Sequence, residues 1–352
     1  MFAKKKLLAA AAMLALVGAA QAEVKLYGYL EASFGSFEDY NVSGGTPTTD
    51  RVTAVQSGNM MTSFFGISGS EDLGNGLKAE FVLESFIAND TGGNIENLAQ
   101  GFWSRGSWVG LSGDFGRLAL GQYDNAFFTL GWSYNPFGSS MTFSPTMVSY
   151  YSLAGFRMPS LGYDTGWVNS ITYETPNLGG FTGSLQFAPK ETTAGGDAKN
   201  NWAVSGAYNA GPLSLMAVYT SSGSNGDGVY FMRQKNYGLG ASYDLSVVKL
   251  SAQYSRIKTQ TGLTDGTSKF FQVGAEVPVT EAGKIMVSYG QTKYNDFAFA
   301  PEGKLKQFSL GYDHSLSKRT GAYAALTSKK LSDVGLDDES ANTFAIGVRH
   351  AF

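Results

Sequence analysis

Val24-Lys25-Leu26-Tyr27-Gly28-Tyr29-Leu30-Glu31-Ala32-Ser33-Phe34 alternates from end to end. Its even positions are apolar or small, and its odd positions carry charge or hydroxyls. A period of two marks a strand with one greasy face; a helix would repeat every 3.6 residues. The same alternation predicts strands over 23–36, 57–70, 77–87, 101–112, 116–123, 166–176, 181–188, 201–209, 213–221, 234–244, 247–258, 268–277, 283–293, 305–315, 319–328 and 341–352. That makes sixteen. The connections alternate as well. Short ones, such as Glu71–Gly76, Asn209–Pro212 and Ser315–Lys318, are rich in turn formers. Long ones span 37–56, 88–100, 124–165, 189–200, 222–233, 259–267, 294–304 and 329–340.

An even number of strands, with short turns at one end and long loops at the other, describes an outer-membrane barrel. The chain is therefore expected to be all-β, a 16-stranded antiparallel transmembrane β-barrel. Closure follows from the medium, because an open sheet edge in lipid leaves N–H and C=O groups unpaired. The apolar parity meets lipid and the polar parity faces a lumen, which at sixteen strands is wide enough for water. A soluble secreted sandwich would also alternate. The strict short–long order of connections argues against it, as does a last strand that keeps its parity to Phe352.

The bulk properties agree. Lys4-Lys5-Lys6, an apolar run to Ala20 and Ala20-Gln21-Ala22 read as a cleaved signal peptide over 1–22. Residues 23–352 then form the barrel domain. The run is too short to span a membrane as a helix. There is no cysteine, so no disulfide contributes to stability. Charged residues make up 16% of the chain, well below the roughly 25% of soluble domains. Without the signal peptide the chain has 23 basic and 29 acidic side chains. That acidity excludes nucleic acid as a natural partner.

One long connection breaks the pattern. Asn125 to Phe156 contains no Asp, Glu, Lys or Arg but holds nine aromatic residues. A loop of this length in a compact domain is usually functional. It is the only long connection apolar enough to pack inside the barrel.

Several segments resemble the trimeric general porins of β-proteobacteria, the neisserial type. They are Leu26-Tyr-Gly28, Gly69-Ser-Glu-Asp-Leu-Gly-Asn-Gly-Leu-Lys-Ala-Glu-Phe81, Trp108-Val-Gly-Leu-Ser112 with Phe115-Gly116, and Asn169-Ser-Ile-Thr-Tyr173 with Gly180-Phe181. Near the end come Gly311-Tyr-Asp-His-Ser-Leu-Ser-Lys-Arg-Thr320 and Val348-Arg-His-Ala-Phe352. The resemblance implies a homotrimer in the Gram-negative outer membrane and passive diffusion of small hydrophilic solutes and ions. It implies an inward-folded third extracellular loop, here about 124–165, that forms the constriction. It also implies outer-membrane lipids and lipopolysaccharide as surroundings, and the barrel-assembly machinery as the reader of Phe352. Three positions depart from the family pattern. Phe64, Ser68 and Gln122 stand where the family commonly places basic eyelet residues that favour anions.

Porin selectivity rests on pore size and lining charge, which a low-dielectric constriction focuses. By parity, Lys25, Glu31, Lys78, Glu80 and Glu84 are expected on the lumen wall. Arg105, Arg117, Asp124 and Arg157 flank the loop or its anchoring strands, and Arg105 and Arg157 could equally clamp it. The loop aromatics, Trp132 and Phe137 among them, either face solutes or pack against the wall. Wall packing gives the larger gain, since a loop needs it to stay inserted across water. The expected function is a weakly charge-selective diffusion channel, neutral or slightly cation-leaning. The alternative is a substrate-specific channel for aromatic or weakly polar molecules. A closed adhesin or enzyme barrel fits less well, because the outer loops are short. Enzymatic signatures are missing: the two histidines, His314 and His350, fall at the short-turn rim, and no nucleophile, phosphate or metal motif is present. No cofactor is expected.

Overall fold

Neighbouring strands pair in sequence order around the whole chain. The computed structural model describes residues 23–41, 48–93, 101–152, 161, 164–191, 199–223, 233–260, 265–295, 302–332 and 338–352. The expected signal peptide, Phe156 and Arg157 lie outside them. The strands are β1 (Glu23–Asn41), β2 (Thr48–Ser57), β3 (Phe64–Gly74), β4 (Leu77–Phe86), β5 (Gly106–Gly113), β6 (Gly116–Asp124), β7 (Gly166–Glu174), β8 (Phe181–Ala188) and β9 (Asn201–Ala210). They continue with β10 (Leu213–Ser222), β11 (Arg233–Asp244), β12 (Lys249–Gln260), β13 (Asp265–Pro278), β14 (Gly283–Asn295), β15 (Gly303–Ser315), β16 (Thr320–Ser332) and β17 (Glu339–Ala351). Every ladder is antiparallel. The last strand returns to the first, with Tyr29 opposite Ala351 and Ser36 opposite Phe344. The sheet has no free edge.

Seventeen segments make sixteen staves, because β2 and β3 are one stave interrupted. β1 pairs with β3 from Glu23 to Tyr29 and with β2 from Ala32 to Asn41. Only Leu30 and Glu31 of β1 stand opposite the six residues 58–63, so this stave bulges. The expectation of one continuous strand over 57–70 is corrected here.

Several strands also run further into the long-loop end than alternation suggests. β1 reaches Asn41, β2 begins at Thr48 and β16 reaches Ser332, so 37–41 and 48–56 of the expected loop are strand. Beyond the hydrocarbon both faces of a strand meet water. Polar residues then occupy both parities, and the period-two signal fades while the pairing continues.

The faces separate as the medium requires. Val24, Leu26, Phe34, Leu120, Leu239, Val273 and Ile346 are exposed, whereas Ser33, Gln253, Ser255, Gln272 and Ser288 are buried. A water-soluble fold would reverse this.

Gly28 seats the chain end. Its N–H donates to the Phe352 carbonyl at 3.2 Å, and the Phe352 N–H donates back at 3.1 Å. A Cβ on Gly28 would lie 2.4 Å from the Phe352 ring and 2.7 Å from the Phe64 carbonyl oxygen. Overpacking of this kind costs about 1–3 kcal/mol. Gly28→Leu should therefore lower the temperature at which the barrel loses its compact mobility on denaturing gels, while Phe352→Ala combined with it should recover part of the loss. Unchanged heat resistance in Gly28→Leu would refute this account of closure.

Candidate functional site

Asn125 starts the charge-free segment. Its side chain accepts from the Phe127 N–H at 2.9 Å and donates to Gln186 at 2.8 Å. It thereby caps helix α1 (Ala126–Ser133) and ties it to β8. Ser144 caps a second helical turn, α2 (Pro145–Met147). Its leading proline fits a position that needs no N–H. A wider π-turn, Val148–Ser152, follows.

The apolar side chains of these turns pack on the barrel wall. Phe127, Leu130, Tyr134 and Tyr150 form one cluster with Val218, Ile257 and Phe270. Phe137 and Phe143 form another with Met60, Met286 and Tyr323. Wall glycines leave the room: a Cβ at Gly240 would fall 2.3 Å from the Tyr134 ring, and one at Gly274 would fall 2.4 Å from Pro136.

The polar groups of the segment meet neutral wall side chains. Gln253 Nε2 donates to the carbonyls of Gly131 and Tyr134, each at 3.3 Å, and to Thr146 Oγ1 at 2.7 Å. Gln272 Oε1 accepts from the Thr146 N–H at 3.0 Å. Gln307 Nε2 donates to the Thr142 carbonyl at 3.1 Å, and the Tyr150 hydroxyl donates to Ser255 at 3.0 Å. A charged wall residue buried here would need a counter-charge, which the segment lacks. A neutral amide meets these groups without that cost, each through one half only: Gln253 Oε1, Gln272 Nε2 and Gln307 Oε1 have no hydrogen-bond partner among the described residues. By sequence, the loop aromatics, Arg105 and Arg157 are the expected wall contacts, and not these glutamines.

The bulge at 58–63 is the third contact. Glu31 accepts from the Asn59 N–H at 2.8 Å and from the Tyr323 hydroxyl at 2.5 Å. Asn59 in turn accepts from Ser140 Oγ at 2.6 Å and from Thr142 Oγ1 at 2.7 Å. Glu31 holds the bulge, and the bulge holds the segment. The expectation that Glu31 lines a wet lumen is corrected: it is 0% exposed, because the bulge that it anchors covers it.

The opposite wall is open. A cavity of about 720 Å³ lies between α1 and the wall from β4 to β10. Its charged lining is Glu84, Arg105, Asp124 and Glu174, and α1 adds Thr129 and Ser133. Arg105 forms an ion pair with Glu84 and lies 4.0 Å above the Phe64 ring. The Tyr27 hydroxyl donates to Glu84 at 2.6 Å. The Arg105 carbonyl accepts from Thr165 at 3.0 Å, which links the end of the segment to the wall. Arg117 bridges Glu80 and Glu174, each at 3.1 Å. Asp164, just before β7, is pushed up to about 6 by burial, and nearby Arg105 opposes the shift.

Other expected lining residues lie elsewhere. Phe64 is buried beneath Arg105, and Gln122 is buried and donates to the Ser104 carbonyl. Phe64 presents no wet surface, whereas Gln122 still lines the cavity. Lys25, exposed beside Glu23, and Lys78, exposed at the start of β4, sit at the short-turn rim. Ser68 is opposite Lys25 in the ladder. Phe137 is buried in the wall cluster and cannot touch a solute, whereas Trp132 is 43% exposed.

The model of the Gram-negative porin family matches residues 8–334. Outer membrane porin protein 32 of Delftia acidovorans is 33% identical, covering 99% of this chain and all of the relative. Major outer membrane protein P.IB of Neisseria lactamica is 27% identical over the same shares of the two chains. Among solved structures, an anion-selective porin from Comamonas acidovorans superimposes with a TM-score of 0.77 at 28% identity, covering 94% of this chain and all of that one.

Glu31→Ala should strand the Asn59 N–H and the Tyr323 hydroxyl. Each buried orphan costs about 1–3 kcal/mol. The expected outcome is a lower melting temperature and larger open-channel current noise as the segment loosens. Quiet wild-type current in Glu31→Ala would show that the bulge does not hold it.

Proposed function

We propose a cation-leaning diffusion channel, on the premise that the chain belongs to the Gram-negative porin family. Porins are outer-membrane channels for passive diffusion, and the open selectivity question concerns this chain's own charges.

The segment 125–152 folds inward and forms the constriction. Its contacts with wall residues from β10 to β15 support this, since those residues lie on the face opposite the exposed apolar one. The passage is then the cavity beside β4–β10. The observation that carries the charge preference is its lining of three carboxylates and one guanidinium. Arg105 is spent on Glu84, and Arg117 is shared by two glutamates. Asp124 is left without a salt bridge among the described residues. A constriction with net negative charge concentrates cations. The anion-selective relative is expected to differ here through the basic eyelet positions that are Phe64, Ser68 and Gln122 in this chain.

The aromatic-solute alternative loses support with the burial of Phe137, Phe143 and Tyr150 in wall clusters. The chain works as a homotrimer, residues 1–22 act as its export signal, and Phe352, seated on Gly28, serves barrel assembly.

In a salt gradient, the reversal potential of single channels should give a cation-to-anion permeability ratio modestly above one, and Asp124→Asn should move it towards one. A strong anion preference would overturn the proposal. The pH dependence has a definite sign. Burial pushes Asp164, whose charge acts on the lining residue Arg105, up to about 6, so it carries charge above that pH and loses it below. Cation preference should therefore decline as the pH falls from 7 to 5; a preference that rises over that range contradicts the assignment.

A further inference from the structure

Both arginines of the open wall are shared among carboxylates, in two clusters. Arg117 bonds Glu80 and Glu174, each at 3.1 Å, and all three side chains are partly exposed. Nearer the long loops, Arg105 pairs with Glu84, and Asp124 lines the cavity with them. Each cluster sets two carboxylates against one guanidinium. Lys78, next along the same face of β4, pairs with neither Glu80 nor Glu174 among the described residues.

β4 sets the spacing between the clusters. Glu80, Val82 and Glu84 share one parity, and Val82 and Glu84 line the cavity. Four residues of strand separate the two glutamates, about 14 Å at roughly 3.4 Å per residue. Val82 stands between them, opposite Trp108 in the ladder. The Tyr123 ring lies 5.2 Å from that of Trp108, and both aromatic residues line the cavity. The wall therefore presents carboxylates, an apolar patch, and carboxylates again.

One acceptor beside the lower cluster is unused. Thr172 shares a ladder row with Glu80 by way of Gly110 and Ala119, and lies two residues from Glu174 on β7. It lines the cavity and is only 3% exposed, and its Oγ1 has no hydrogen-bond partner among the described residues. A buried hydroxyl left unpaired is costly, and a solute that brings an N–H removes that cost.

We propose that the passage holds a lengthwise site for linear aliphatic diamines. One ammonium sits among Glu80, Glu174 and the Thr172 hydroxyl, the other between Glu84 and Asp124, and the methylene stem lies along Val82, Trp108 and Tyr123. An ammonium carries three donors, which two carboxylates and a hydroxyl take up. The stem gains by leaving water, a gain that an inorganic cation lacks. The inference rests on the cation-leaning channel proposed above and adds a solute class to it.

The test uses the full-length channel in planar bilayers in potassium chloride at about 0.1 M, where the screening length is about 10 Å, and at about pH 8, where aliphatic amines stay protonated. It reads the amine concentration that halves the single-channel current. The stem of 1,8-diaminooctane spans roughly three residues of strand, or about 10 Å, so with the reach of the acidic side chains it bridges the clusters. 1,2-Diaminoethane carries the same charge but engages only one cluster at a time. The second contact of the long diamine is intramolecular, and at the strength of a partly exposed ion pair it should lower the half-blocking concentration about fivefold. Glu80→Gln/Glu174→Gln should abolish that advantage. Should this variant not fold, wild type decides alone through 8-amino-1-octanol, which has the same stem and one ammonium and should block about fivefold less well than the long diamine. The proposal is overturned if the two diamines block equally, if 8-amino-1-octanol matches the long diamine, or if the glutamine variant keeps the advantage. An anion-leaning reversal potential in potassium chloride would overturn the cation-leaning channel and this site with it, whereas a cation-leaning potential with equal block by the two diamines overturns the site alone.

Discussion

A backbone in hydrocarbon cannot leave an N–H or C=O unpaired, because water is not there to take it. The rest of the structure depends on that constraint. It forces β1 onto β17 and closes the sheet. Closure gives every strand two environments, lipid outside and the lumen inside, and so converts a sequence period of two into an apolar exterior and a polar interior. Gly28 matters out of proportion to its size, because the final ladder bond and the Phe352 ring meet at its missing side chain.

With the segment folded inward, as proposed, charge divides the wall in two. From β10 to β15 the inner face offers Gln253, Gln272, Gln307, Ser255 and glycines, and the charge-free segment lies against it. From β4 to β7 it offers Glu84, Glu174 and two arginines, and the cavity lies there. The two halves explain each other. A segment without charge can be held by amides and hydroxyls with no buried ion to compensate, and the ionised groups remain where water reaches them. The two helical turns and the Glu31–Asn59 bulge fix the segment at several points, which a single anchoring strand could not do.

Much of this was legible in the sequence. All sixteen staves follow from alternation, because membrane strands must separate their faces, and the belonging of the chain to the porins follows from motifs spread along its length. The misses have physical causes. The bulge at 58–63 was hidden because parity says which face a residue takes, not whether its partner strand keeps step. Glu31 was read as a wet wall residue for the same reason: its parity is right, but the bulge covers it. Phe64 and Phe137 are expected on the lining, but packing buries them. Extended strand ends such as Lys329–Ser332 were lost because polar residues on both faces leave no period. The glutamines of β12, β13 and β15 carried no signal that separates a loop clamp from an ordinary polar wall residue.

The central claim is that solutes pass beside β4–β10 and not beside β10–β15. Because the chain has no cysteine, single cysteines can be placed at will. Thiol modification with a bulky water-soluble reagent, followed on open channels, tests the claim most directly. A cysteine at Asp124 should react rapidly and cut the current, whereas one at Gln272 should stay unmodified with the current unchanged. Fast modification and block at Gln272, with none at Asp124, would place the passage on the other side of the segment and contradict the account.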